Sequence, residues 1–123
     1  MLHDKKLFLK KLKPFFNDYA EIRGQLIFIL DRSKILECLS FLKNDKDLKF
    51  NMLHDLTCNQ KAKGLEVVYQ LHSVDNSYWV TLKSLIPFES LVAPSATSVF
   101  IAADWHEREA FDMFGIKFND HPD

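Results

Sequence analysis

The sequence predicts an α+β domain with two layers: a mixed, mostly antiparallel β-sheet with helices packed on one face. Two observations favour this class. Two segments with helical spacing flank a short apolar run in the N-terminal half, and three strand-like segments joined by short turns follow over 50–58, 65–72 and 78–85. Consecutive strands with short turns form an antiparallel meander. The length of 123 residues fits one domain over 1–123.

The N-terminal half is predicted as helix, strand and helix. Residues 4–12 have helical spacing, with leucines opposite lysines, up to the disturbing Pro14. Residues 25–30 are a short apolar run and predict a buried strand. A second helix is expected over 33–44, with Ser33 as its N-cap. Its apolar stripe, which should face the core, comprises Ile35, Leu36, Leu39 and Leu42.

The C-terminal half is predicted as strands followed by one short helix. The alternation in the second and third meander strands places one set of side chains inward, namely Leu65, Val67, Tyr69, Leu71, Tyr78, Val80 and Leu82. Residues 87–94 are expected to be a connecting loop, and 97–101 a single helical turn. The helix over 104–114 should begin at Asp104, a natural N-cap, and end at Gly115 in a C-cap position.

Composition argues against several classes of function. The net charge of −1 provides no basic field for nucleic acid. The longest apolar run, Leu26–Leu30, is too short to span a bilayer, and the N-terminus lacks the apolar core of a signal peptide. Cys38 and Cys58 have no metal-ligand spacing and are expected to be reduced, packed thiols. We therefore expect a cytoplasmic protein with no metal and no nucleic-acid partner.

The last helix crowds charges among bulky apolar side chains. Glu109 is expected beside Trp105 and Met113, partly desolvated, so that it or Glu107 should pair with a basic group. A solvated face with surface salt bridges, a partner-binding surface and catalysis all remain open at this point. A ladder of ion pairs with a spacing of four residues is predicted for Asp104, Arg108 and Asp112.

Catalytic motifs are incomplete in this sequence. His106 and Glu107 lack the second histidine of a metalloprotease motif, because position 110 is alanine. Glu107 and Glu109 are two residues apart on a helix and should point in different directions. A stand-alone hydrolase using His106 and Glu109 is an alternative, disfavoured because no third group with suitable spacing would orient the histidine.

The end of the chain carries a recognisable string. Trp-x-Glu-Arg-Glu, followed by Asp-Met-Phe-Gly-Ile and then His-Pro-Asp, resembles the signature of the 30 kDa subunit family of respiratory NADH:quinone oxidoreductase (complex I). Segments 41–57, 66–71 and 93–97 resemble other parts of that family. The positions that the resemblance assigns to the family motif and partner interface are Trp105, Glu107, Arg108, Glu109, Asp112, Met113, Phe114, Gly115, His121, Pro122 and Asp123.

The resemblance implies a scaffold protein without a cofactor, inactive alone, in the hydrophilic arm of a proton-pumping complex. Such a protein binds the quinone-site subunit of the 49 kDa type and meets the cytoplasmic side of the membrane only through the complex. The family continues past His-Pro-Asp into a basic stretch and a tail, which we expect this chain to lack. A sibling interpretation is the equivalent subunit of an energy-converting membrane-bound hydrogenase.

Overall fold

The computed structural model describes residues 2–122, and it places three helices against a five-stranded sheet. The helices are α1 (Leu2–Leu12), α2 (Ile35–Asn44) and α3 (Ala103–Phe114), with short 3-10 turns at Arg32–Lys34 and Phe88–Ser90. The strands are β1 (Phe16–Ile22), β2 (Gln25–Leu30), β3 (Met52–Gln60), β4 (Gly64–Ser73), β5 (Tyr78–Pro87), β6 (Val92–Pro94) and β7 (Lys117–Asn119).

The main sheet has the strand order β1-β2-β5-β4-β3. Its pairs are antiparallel except for β2 and β5, which run parallel. The α+β class, the mostly antiparallel sheet and the meander of β3, β4 and β5 are therefore confirmed. The meander occupies one side of the sheet, however, and β5 is the central strand because it also pairs with β2.

β1 was not predicted, and it makes the sheet five strands wide where the sequence suggested about four. Most of its side chains are exposed, as expected for an edge strand paired on one side only. It joins β2 through Arg23 and Gly24, which both have positive φ values, of 54° and 79°. Two such residues match the right-handed twist of a hairpin. Asn17 and Asp18 are adjacent polar residues, so the sequence of β1 lacks the strict alternation of apolar and polar residues that is typical of a strand.

One apolar cluster lies between the helices and the facing side of the sheet. The inward positions predicted for β4 and β5 are buried, except that Tyr78 is only half-buried. In α1 the fully buried side chains are Phe8 and Leu12, while Leu9 is half-buried and the side chain of Leu2 lies outside the described residues. From α2 the cluster receives Ile35, Cys38, Leu39 and Leu42.

Both predicted helix N-caps were wrong. Asp31 accepts a hydrogen bond from the Ser33 N–H, so Asp31 caps the 3-10 turn that precedes α2. The N-cap of α3 is Ala102. Asp104 lies inside the first turn, where its negative charge interacts favourably with the helix dipole. The predicted C-cap is confirmed, since Gly115 is left-handed with φ 77° and its N–H donates to the Phe111 carbonyl.

The predicted loop over 87–94 contains β6, which pairs in parallel with β7. The Ser95 N–H also donates to the Asn119 carbonyl at 2.9 Å. In the next turn, the N–H groups of Val99 and Phe100 donate to the Ala96 carbonyl, close to the predicted helical turn. This small sheet brings the end of the chain beside α3.

Candidate functional site

One face of α3 packs inward through small side chains and one glutamate. Ala103, Glu107 and Ala110 are its buried residues and follow one stripe of the helix, which packs against β3. The bulky residues point the other way: Trp105 is 60% exposed and Met113 74%. Glu109, which was expected to be partly desolvated, has a side chain that is 52% exposed.

Glu107 is the buried carboxylate of this helix, with 1% of its surface exposed. Its Oε1 accepts from the Ser95 hydroxyl at 2.7 Å, and its Oε2 accepts from the Ala96 N–H at 2.7 Å. Short bonds to a charged acceptor are the strong class of hydrogen bond. The carboxylate is therefore satisfied mainly by the turn after β6, which the sequence interpretation missed.

His121 attaches the segment after β7 to the start of α3. Its Nε2 lies 3.0 Å from Asp104 Oδ1, 3.2 Å from the Asp104 carbonyl oxygen and 3.9 Å from Glu107 Oε1. The side chain of His121 is only 11% exposed. Among the described residues, the structure thus places a histidine, rather than a lysine or arginine, at ion-pair distance from Glu107.

Arg108 and Asp104 make the first half of the predicted ladder. Arg108 Nε lies 3.6 Å from Asp104 Oδ1, and both side chains are well exposed. The Arg108 guanidinium also lies over the Trp105 ring, 5.4 Å from its centroid. Exposed ion pairs contribute only ~0–1 kcal/mol, so this pair orients surface groups more than it stabilises the fold.

A surface groove of about 460 Å³ runs between α3 and β7. Its rim carries charges of both signs, and Phe111 and Phe118 supply apolar surface. The groove brings several motif positions together with residues that the sequence did not single out. Its lining residues are Glu107, Arg108, Phe111, Asp112, Lys117, Phe118, Asn119, Asp120 and His121.

The other motif positions that the structure describes lie outside the lining of this groove. Phe114 is partly buried against the core, while Gly115 ends the helix and Pro122 is exposed. Asp123 lies outside the described residues. His106 Nδ1 is 3.6 Å from Asp55 Oδ1 and 3.8 Å from Glu109 Oε1, a surface cluster of acids around one histidine.

Across the described part of the chain, the cysteines, the possible metal ligands and the helices provide no reactive thiol, no metal site and no membrane-spanning helix. Burial raises the pKa of the Cys38 thiol to about 12 and that of Cys58 to about 11, so both are protonated at neutral pH. Within residues 2–122 no group of three or more His, Cys, Asp and Glu side chains is placed to hold a metal ion. No helix in the same range is long and apolar enough to cross a bilayer.

The buried carboxylate predicts a pH dependence of stability. Burial raises the pKa of Glu107, while the hydrogen bonds from Ala96 and Ser95 oppose the rise. When the pKa of a carboxyl group is higher in the folded chain than in the unfolded chain, the group stabilises the folded state at low pH. This contribution is complete below the pKa of the unfolded chain and is lost as the pH rises through the pKa of the folded chain. Relative to Glu107→Gln, the wild type should therefore lose stability as the pH rises above about 4, the usual pKa of a glutamate in an unfolded chain.

Urea unfolding of wild type and Glu107→Gln at a series of pH values from about 4 upward measures the difference in their free energies of unfolding. Glu109→Gln is the matched control, because the Glu109 side chain is 52% exposed. Its stability relative to wild type should stay within about 0.5 kcal/mol throughout. A difference between wild type and Glu107→Gln that grows in favour of wild type with rising pH would contradict the prediction.

Comparison with known proteins identifies the family. Residues 28–123 match the family model for the respiratory-chain NADH dehydrogenase 30 kDa subunit. The chain is 40% identical over 103 residues to the C subunit of NADH-quinone oxidoreductase from Caulobacter vibrioides, covering 81% of this chain and 52% of that protein. It is 35% identical over 129 residues to the C subunit from Citrifermentans bemidjiense, covering 99% of this chain and 78% of that protein.

Solved structures show the same fold. A trypsin-resistant fragment of Nqo5 superimposes with a TM-score of 0.79 at 25% identity, covering 100% of this chain and 99% of the fragment. A chain of an archaeal membrane-bound sulfane sulfur reductase gives a TM-score of 0.83 at 22% identity, covering 97% of this chain and 72% of that one. The chain spans about half the length of the first Caulobacter relatives, 52% and 48%. The match over 28–123 shows that the chain belongs to the 30 kDa subunit family of respiratory-chain NADH dehydrogenases.

Proposed function

We propose that this chain is a non-catalytic scaffold protein in the hydrophilic arm of a proton-pumping NADH:quinone oxidoreductase. In this role it binds the quinone-site subunit of the 49 kDa type and lies on the cytoplasmic side of the membrane, attached through the complex. Membership of the 30 kDa subunit family supports the assignment of this chain to that respiratory complex. The Caulobacter and Citrifermentans relatives are described as subunits of NADH-quinone oxidoreductase, which favours this enzyme over the hydrogenase alternative.

The observation that carries the scaffold role is the apolar surface of α3 and the turn before it. Ile101, Trp105 and Met113 are 78%, 60% and 74% exposed, and Phe111 is 49% exposed. Large apolar side chains grouped at one place on a surface mark an interaction site more often than a solvated face. Aromatic residues, Met and Arg are also the types enriched at protein interfaces. Ile101, Trp105 and Met113, with Arg108 over the Trp105 ring, form the surface that we call the docking face, and Phe111 lies beside it in the groove between α3 and β7.

The hydrolase alternative gains no support from the geometry. His106 is surrounded by Asp55 and Glu109 on the surface. A nucleophilic mechanism needs a hydroxyl or thiol within hydrogen-bond reach of the base, and the described contacts of His106 are to carboxylates. We therefore retain binding as the function of this face.

Affinity purification from native membranes tests the proposal. A tagged copy of this chain should recover the quinone-site subunit together with NADH-binding subunits and NADH:quinone reductase activity. Recovery with hydrogenase subunits would favour the sibling interpretation. Recovery of the chain alone, under conditions that keep the complex intact, would contradict the proposed role.

Variants in the same complex separate a scaffold role from catalysis. Arg108→Ala and Glu109→Gln should lower the amount of assembled complex while leaving turnover per assembled complex nearly unchanged. The physical reason is that both side chains are exposed on or beside the docking face. Normal assembly with abolished turnover would overturn the scaffold role and assign these residues to catalysis or coupling.

A further inference from the structure

Three separate parts of the chain meet at the Glu107 side chain. They are the turn 95–97 after β6, the buried stripe of α3 and the segment after β7 that carries His121. Glu107 borders the groove, but only 1% of its surface is exposed, so a partner docked on the surface would reach very little of it. Burying a carboxylate costs several kcal/mol unless hydrogen bonds satisfy it. A fully enclosed glutamate that joins three segments therefore suggests a role in holding them together.

The bonds around Glu107 extend to the neighbouring backbone. The Ser95 hydroxyl that donates to Glu107 also accepts from the Thr97 N–H at 3.2 Å. The Ser95 N–H donates to the Asn119 carbonyl, and the His121 N–H donates to the Phe118 carbonyl at 3.3 Å. These contacts link α3 to β7 through polar groups, and they border the groove between the two elements.

We infer that Glu107 is a positioning residue, which fixes the turn 95–97 and the segment 117–121 against α3 so that the groove between α3 and β7, beside the docking face, is formed before the partner binds. This inference rests on the proposed function. Ordering loops and side chains during association costs affinity, so a preformed surface binds more tightly. Glu107 acts through the geometry of the exposed residues around it, among them Arg108 and Lys117 on the groove rim.

The substitution series separates the hydrogen bonds from the bulk of the side chain. Glu107→Ala removes the acceptor of the Ala96 N–H and leaves that donor buried. Glu107→Gln keeps the shape, because its amide oxygen can accept from Ala96 while its NH₂ donates to the Ser95 hydroxyl. Ser95→Ala removes the second contact together with the bonds of the Ser95 hydroxyl to Thr97, and it leaves the Ala96 N–H bonded to Glu107. Leu39→Ala is the control for a general loss of stability, since Leu39 lies in the core cluster and is 0% exposed.

The experiment measures binding of each variant of the chain to the purified quinone-site subunit, together with amide hydrogen exchange of the free chain. Glu107→Ala should weaken binding by about tenfold or more and raise exchange in 95–97 and 117–121. Glu107→Gln should restore both to near wild-type values, and Ser95→Ala should fall between. Leu39→Ala should raise exchange throughout the chain and leave the affinity of its folded fraction unchanged.

Two outcomes would overturn the inference. One is a Glu107→Ala variant whose folded fraction binds like wild type. The other is exchange that rises uniformly along the chain, as in the core control. If wild type does not bind the quinone-site subunit at all, the proposed function is contradicted, and the exchange pattern of Glu107→Ala then decides the positioning role by itself.

Discussion

Leu39→Ala is expected to lower the free energy of unfolding by ~2–5 kcal/mol. Leu39 is 0% exposed on the buried side of α2, within the cluster that faces the sheet. Removing its side chain loses the transfer free energy of the buried methyl groups and leaves a cavity that the packed surroundings fill only in part. Denaturant unfolding of the purified chain measures the loss, provided that the m value stays constant.

A leucine outside the core is the matched control for this change. Leu85→Ala removes the same atoms from a side chain that is 47% exposed on β5, so the expected loss is within about 0.5 kcal/mol. A loss below about 0.5 kcal/mol for Leu39→Ala itself would mean that α2 does not bury this stripe against the sheet.

Local patterns explain why the meander was predictable and the small sheet was not. Apolar residues alternate with polar ones along much of β4, and short turns connect β4 with β3 and β5. β6 and β7 are three residues each and are separated along the sequence by α3. Three residues show no periodicity, so their pairing depends on tertiary contacts. The position of the segment that carries His121 depends on this pairing, so it could not be predicted from the sequence.

The charge density of α3 indicated the candidate site, but the orientation of this helix against the sheet could not be predicted from the sequence. Trp105 and Met113 were expected to share a stripe with Glu109 and to place apolar side chains beside that carboxylate. The buried stripe instead has two alanines, Ala103 and Ala110, which let the helix lie close to the sheet. The choice between Glu107 and Glu109 as the buried acid depends on that orientation. An acceptor such as Glu107 could be assigned only once the N–H that it satisfies, in the turn after β6, was known.

Trp105→Ala is expected to weaken binding to the quinone-site subunit by about 30-fold, which corresponds to about 2 kcal/mol. Trp105 is 60% exposed, and Met113 lies two turns further along the same stripe at 74% exposed. Interface energies concentrate in a few central residues, and tryptophan is prominent among them. Met113→Ala should cost less, because a flexible thioether loses more side-chain entropy when it is immobilised.

Because both side chains are exposed, their removal should change the stability of the free chain by no more than about 0.5 kcal/mol. Substitutions at the docking face should therefore weaken binding without changing the stability of the chain, whereas Leu39→Ala in the core should lower its stability. The control variants are Ile22→Ala and Leu85→Ala, which remove exposed apolar groups, 54% and 47%, from strands β1 and β5. The register places both on the sheet side opposite the core cluster, away from α3. Weaker binding in the controls with unchanged binding in Trp105→Ala would move the docking site to that open side of the sheet.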